Sequence, residues 1–188
     1  ALDSIGTNHG VLQNGATFTV GETGQAFSLD GIDDFVNVPD SPSLNLGTGD
    51  FTVECWVKFT STSGEQVLVE RFIGPSGPGW VLAKLSDNRL HFFMNSGAGI
   101  VTSAVLSIPT GVWHHFAACG SGSTATLFMN GTPVASGTVA GSVDCSSSLK
   151  IGSRGGSGSF LAGLIDEVGI YSGTATTVGF NAFRVRAT

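Results

Sequence analysis

Residues 51–60 alternate without a break. Phe51, Val53, Cys55, Val57 and Phe59 are apolar, and Thr52, Glu54, Trp56, Lys58 and Thr60 stand between them. Side chains two apart in a strand share a face, so this stretch reads as a strand with one buried face. The segments 66–72, 79–85, 89–95, 112–119 and 124–129 read the same way, and no long helical period interrupts them. Asn130-Gly131 joins two of these runs, and both residue types accept the positive φ that a two-residue hairpin demands. Asn130-Gly131-Thr132 is also a glycosylation sequon, but the turn accounts for it fully. Ser86-Asp87-Asn88 reads as a second hairpin turn. Many short strands with turn signals and no interleaved helices predict an all-β chain, an antiparallel β-sandwich or jelly roll. The segments 74–79, 137–148 and 152–159 are loops with strands on both sides, so the expectation is a single domain over 1–188.

Charge narrows the partners. Only 12% of residues are charged, against roughly 25% in ordinary soluble chains. The net charge of −6 comes with few Lys and Arg and no basic run, which excludes nucleic acid and anionic lipid as expected partners. No apolar stretch approaches the roughly 20 residues that span a bilayer, so membrane insertion is not expected. A weakly charged chain rich in Gly, Ser and Thr suits an extracellular, cell-surface or virion setting. It starts at Ala1 with no visible signal peptide, which suits a processed product or a piece of something longer. Cys55, Cys119 and Cys145 match no zinc spacing, and the sequence leaves a Cys119–Cys145 bridge open.

Several motifs then fall in one order. The run from Gln25 through Asp30-Gly31-Ile32-Asp33-Asp34-Phe35 to Pro39, the strand Phe51 to Lys58, Trp113-His114-His115-Phe116-Ala117, the hairpin Leu127 to Gly131, Leu149-Lys150-Ile151-Gly152 and the closing run Phe160 to Tyr171 resemble laminin-G-like, concanavalin A-like lectin/glucanase jelly-roll domains. The resemblance spans nearly the whole chain and is specific for fold. That superfold hosts lectins, adhesion domains and glycanases alike.

Asp30, Asp33 and Asp34 bunch within one turn, and Asp166 and Glu167 lie in the closing run. The resemblance implies that the opening and closing strands are neighbours, so these five groups should converge. Converging carboxylates repel unless a cation neutralises them, and an oxygen-only set suits a structural Ca²⁺ held by Asp30, Asp34 and Asp166. The alternative is an Asx-turn network in which the carboxylates accept backbone N–H groups. Glycoside hydrolysis needs two positioned carboxyls, and same-face carboxyls on a strand need alternate positions. Asp33-Asp34 and Asp166-Glu167 are adjacent pairs, so no catalytic activity is expected. His114 and His115 point to opposite faces of a strand and cannot share a site, so packing or a structural hydrogen bond is their expected role.

Sugar sites combine an aromatic platform with polar groups. Trp80 beside Pro78-Gly79, and Phe72 beside Gly74-Pro75, lie at strand ends near loops, with Arg71, Lys84, Asn88, His91 and Arg154 as polar candidates. For Trp80, core packing competes with this reading. Trp56 and Trp113 belong to the fold motifs. Two functions stand on these residues. One is a non-catalytic carbohydrate-binding, lectin-like module with a glycan partner. The other is a structural or adhesion subunit of a virion or cell-surface assembly, binding a surface protein or forming homo-oligomers.

Overall fold

A computed structural model describes residues 1–74, 77–94, 99–142 and 144–172, and the backbone of 181–186. Its strands are β1 (Leu2–Asp3), β2 (Val11–Gln13), β3 (Thr17–Val20), β4 (Gln25–Asp30), β5 (Phe35–Val38), β6 (Phe51–Phe59), β7 (Gln66–Phe72) and β8 (Gly79–Lys84). They continue as β9 (Leu90–Met94), β10 (Gly99–Thr102), β11 (Trp113–Ser121), β12 (Thr124–Met129), β13 (Thr132–Thr138), β14 (Leu149–Ile151), β15 (Ala162–Ser172) and β16 (Asn181–Arg186). The one described helical element is a single 3-10 turn, Pro42–Leu44. Among the described residues no helix is long and apolar enough to cross a membrane.

These strands form two antiparallel sheets. One has nine strands, ordered β1-β16-β15-β6-β11-β12-β13, with β4 beside β15 and β3 beside β4. The other has seven, ordered β10-β9-β8-β7-β14-β5-β2. In β6 the alternating residues Phe51, Val53, Cys55, Val57 and Phe59 are all buried, as their period predicts. They meet Leu82, Leu90 and Phe92 of the opposite sheet in one continuous apolar cluster. Each large side chain so buried contributes about 1.5–3 kcal/mol, and this burial holds the two layers together.

The turns follow their chemistry. Asn130 and Gly131 sit at φ 51 and 77, the mirror-image turn that matches the twist of the flanking strands. Asn130 Oδ1 also accepts the His115 N–H at 2.8 Å. Asn88 adopts φ 61 in the second predicted turn, closed by the Leu85 N–H donating to the Arg89 carbonyl at 2.8 Å.

The seven-stranded sheet departs from simple alternation. Every residue of β8, and all of β7 except Phe72, is buried. Both faces of these central strands are covered, so their period carries no sign of which face is inside. A bulge between Val67 and Val69 adds a second complication. It turns Leu68 and Val69 together into the main core and leaves Val67 on the outer face, beside Val81 and Ala83.

The cysteines form no disulfide. Cys119, in the nine-stranded sheet, accepts a hydrogen bond from Thr52 Oγ1 at 3.6 Å, while the Cys145 thiol donates to the Arg71 carbonyl at 3.3 Å. The Cys119–Cys145 pairing left open by the sequence is therefore not made, because each sulfur is engaged with different groups.

Candidate functional site

The outer face of the seven-stranded sheet carries a groove of about 480 Å³, within the range of small-ligand sites. Its lining includes Glu70, Phe72, Ile73, His91, Phe93, Arg154 and Ser157. Strand parity explains the rings. In β9, Leu90, Phe92 and Met94 enter the core, so His91 and Phe93 face outward. Phe93 meets Phe72 edge-on at 5.2 Å and lies nearly parallel to His91 at 6.4 Å. Phe72 and Phe93 thus pack on the small floor of Val67, Val81 and Ala83, with His91 beside them. Burial pushes the His91 pKa down, which favours the neutral ring, and His91 Nδ1 pairs with Thr102 Oγ1 at 2.9 Å.

Glu70 reaches the same face because of the bulge. Its register partners are Val81 on β8 and Lys150 on β14. Its side chain is only 2% exposed. The Gly155 N–H donates to Oε1, while Oε2 has no hydrogen-bond partner among the described residues. Burial raises the Glu70 pKa above the ordinary carboxylate value, opposed by the Gly155 N–H and by the charges of Arg154 and Lys150. The loop that supplies Gly155 is held against β7, with Gly152 N–H donating to the Leu68 carbonyl and Val67 N–H to the Ser159 carbonyl, both at 2.9 Å. Gly155 and Gly156 take φ 60 and 75, where a side chain would be strained. Arg154 pairs with Glu65 at the rim.

Of the polar and aromatic candidates taken from the sequence, the structure brings His91 and Arg154 into this groove, together with Phe72. Arg71, Trp80 and Lys84 are corrected: all three are buried inside the protein. Arg71 faces the other side of β7 from Glu70. Its guanidinium donates to Asp40 Oδ1 (2.6 Å), Asn45 Oδ1 (2.7 Å), the Leu44 carbonyl (3.1 Å) and the Ser147 carbonyl (3.2 Å). Lys84 Nζ is spent on the carbonyls of Thr62 at 2.6 Å and Gly64 at 2.8 Å, and on Asn88 Oδ1 at 3.3 Å. Trp80 stacks on Phe92 at 6.4 Å in the core. Sequence reasoning missed Glu70 and Phe93. An acid in the otherwise apolar run Val67-Leu68-Val69-Glu70 was the available signal.

The acidic cluster divides. β4 and β15 are paired neighbours, as the resemblance implies, but Asp30 lies opposite Ala162. Asp166 is four residues further along β15, about 13 Å away at about 3.3 Å per residue. Asp30, Asp33 and Asp34 have carboxylate oxygens within 4.8 Å of one another, without Asp166 or Glu167. Asp34 accepts the N–H groups of Gly15 (2.6 Å) on one oxygen and of Asp30 (3.0 Å) on the other. Asp30 Oδ1 accepts Ile32 N–H at 2.8 Å and Asp33 N–H at 3.3 Å, and the Ile32 bond leads in holding its carboxyl below the ordinary value. Asp166 accepts Thr23 N–H at 3.0 Å and Glu167 N–H at 2.8 Å, while burial raises its pKa. The carboxylates expected to share a Ca²⁺ thus cap two separate turns. A single site drawing on Asp30, Asp34 and Asp166 does not fit this arrangement. His114 and His115 do point apart: His114 Nε2 meets the Pro109 carbonyl at 3.1 Å, and His115 Nε2 meets Glu54 at 3.3 Å.

A second, smaller cavity of about 180 Å³ lies among Gly47, Phe51, Met94, Gly122 and Gly141, with no charged side chain among the described residues of its lining.

A two-layer antiparallel jelly roll with this motif order defines a laminin-G-like domain. Residues 30–177 match the family described as the concanavalin A-like lectin/glucanases superfamily, and the chain belongs to it. No curated protein matches the sequence. Among solved structures, domain 4 of AbnA, a GH43 extracellular arabinanase from Geobacillus stearothermophilus in complex with arabinotriose, is similar over 89% of this chain and 84% of that one, with TM-score 0.69 and 22% identity. Botulinum neurotoxin type C, whose cell entry depends on interaction with two ganglioside molecules, is similar over 89% of this chain, with TM-score 0.67 and 12% identity. The binding domain of botulinum neurotoxin DC in complex with SialylT gives TM-score 0.66 and 13% identity. This chain spans 44% and 43% of those two toxin chains. At these identities the likeness concerns the fold.

Proposed function

We propose that the protein is a non-catalytic carbohydrate-binding module and that a glycan docks in the groove on the outer face of the seven-stranded sheet. One observation carries this reading: three aromatic rings share a groove with a buried carboxylate oxygen that lacks a hydrogen-bond partner among the described residues. A sugar ring offers C–H groups on its faces and hydroxyls on its edge. Phe72, His91 and Phe93 present apolar ring surface to the first, and Glu70 Oε2 accepts from the second. Ser157 at the rim adds a hydroxyl that donates or accepts. Among the described residues lining the groove, Glu70 is the single carboxylate, whereas glycoside hydrolysis uses two. The similarity to an arabinanase domain bound to arabinotriose supports the same reading. An extracellular or cell-surface setting goes with it, and a glycan is the partner.

A glycan array with the intact protein and its Phe93→Ala variant tests the proposal. The wild type is expected to give a defined set of hits that the variant loses while keeping its β-type circular dichroism. An array without hits, together with self-association on sizing, would sink the proposal in favour of a structural or adhesion subunit.

A further inference from the structure

We infer that the groove, read as the docking site proposed above, selects neutral glycans over acidic ones. Its most buried polar side chain is an acceptor. Glu70 is 2% exposed, its Oε1 is held by the Gly155 N–H, and its Oε2 has no partner among the described residues. A buried acceptor left without a donor is costly, so a ligand that brings a hydroxyl gains the bond and removes that cost. A uronate or sialate brings instead a second carboxylate, which needs donors. Arg154, the cation among the described lining residues, is already committed to Glu65. Lys150, the nearby ammonium, is hydrogen-bonded to Ser148 and lies outside the lining. An acidic sugar would therefore set like charges together in a poorly solvated groove, or would have to break the Arg154–Glu65 pair. The net charge of −6 adds a weaker long-range repulsion of the same sign. Solved structures similar in fold include one with neutral arabinotriose and one with SialylT, so the fold leaves both classes open and the lining residues decide between them.

Titration calorimetry with arabinotriose and cellotriose on one side, and trigalacturonate and sialyllactose on the other, tests this on the intact protein. The neutral set is expected to bind at least about tenfold more tightly. Glu70→Gln keeps an acceptor but removes the charge. It should weaken the neutral ligands by about tenfold and narrow the gap to the acidic ones. Glu65→Gln, at the exposed rim, should release Arg154 and strengthen the acidic ligands. Acidic ligands binding as tightly as neutral ones in the wild type would overturn the selectivity and leave carbohydrate binding standing. Neutral binding unaffected by Glu70→Gln, in a variant that keeps its β-type circular dichroism, would remove Glu70 from the site and overturn the inference. Binding of neither set would overturn both the inference and the proposed function.

Discussion

Replacing Arg71 by Met separates a structural arginine from a ligand-binding one. The guanidinium sits at the inner end of β7 and donates to two backbone carbonyls, Leu44 and Ser147, and to two side chains, Asn45 and Asp40. It ties the loop around the 3-10 turn to the loop preceding β14. Methionine replaces the alkyl stem and donates nothing. An acceptor deprived of its donor costs about 1–3 kcal/mol. The Leu44 carbonyl, bonded in buried surroundings, takes most of that range. The Ser147 and Asn45 acceptors, nearer solvent, take less. The Asp40 pair adds little, because Asp40 is 43% exposed. These contributions are not additive, and a loss of about 3–4 kcal/mol is expected, a large part of the about 5–15 kcal/mol typical of a domain. Urea unfolding followed by tryptophan fluorescence reads it as a lower midpoint at unchanged slope. Glycan binding below the transition should be unchanged. A loss under about 1 kcal/mol, or intact stability with abolished glycan binding, would refute the structural role.

Three further outcomes are expected. Burial raises the Glu70 pKa, so its contribution to stability is fully present below the ordinary carboxylate value and is lost as pH rises through the raised one. Melting temperature should accordingly fall across that window on going toward neutral pH, and Glu70→Gln should flatten the fall. Burial also pushes the thiols of Cys55 and Cys145 upward, so under native conditions a thiol reagent should label Cys119 first and reach the other two only on unfolding, as mass spectrometry of digests would show. Because Asp34 and Asp166 already accept backbone N–H groups, melting temperatures in excess Ca²⁺ and in chelator should agree within about 2 °C, and a rise of several degrees that Asp33→Asn abolishes would establish a cation site at the Asp30 turn.

Much of the architecture is written in short-range pattern. The period of residues 51–59 sets the buried face of β6, and Asn130-Gly131 places a hairpin. Adjacent His114 and His115 could only diverge, and they do. These features depend on φ, on side-chain parity and on turn chemistry, all properties of a few consecutive residues.

The site depended on longer-range decisions. Arg71 and Lys84 look like surface binding groups in a one-dimensional reading, and Trp80 like either surface or core, yet all three are buried. Their strands lie in the middle of a sheet covered on both faces, where alternation no longer separates inside from outside. Three carboxylates that share one turn were legible as a cluster, but whether Asp166 joined them turned on strand register, which displaces it four residues from Asp30's partner. Glu70 is the sharpest case. Simple parity would place it with Leu68, in the core, and the bulge between Val67 and Val69 moves it to the outer face. There a loop from far along the chain lends the Gly155 N–H to one oxygen, while the other stays buried without a hydrogen-bond partner among the described residues. The sequence by itself determined which segments are strands and where they turn, because those are local free energies. Which side chains share a groove was decided only by tertiary structure, because it follows from bulges, register and loop docking that residues distant in the chain settle together.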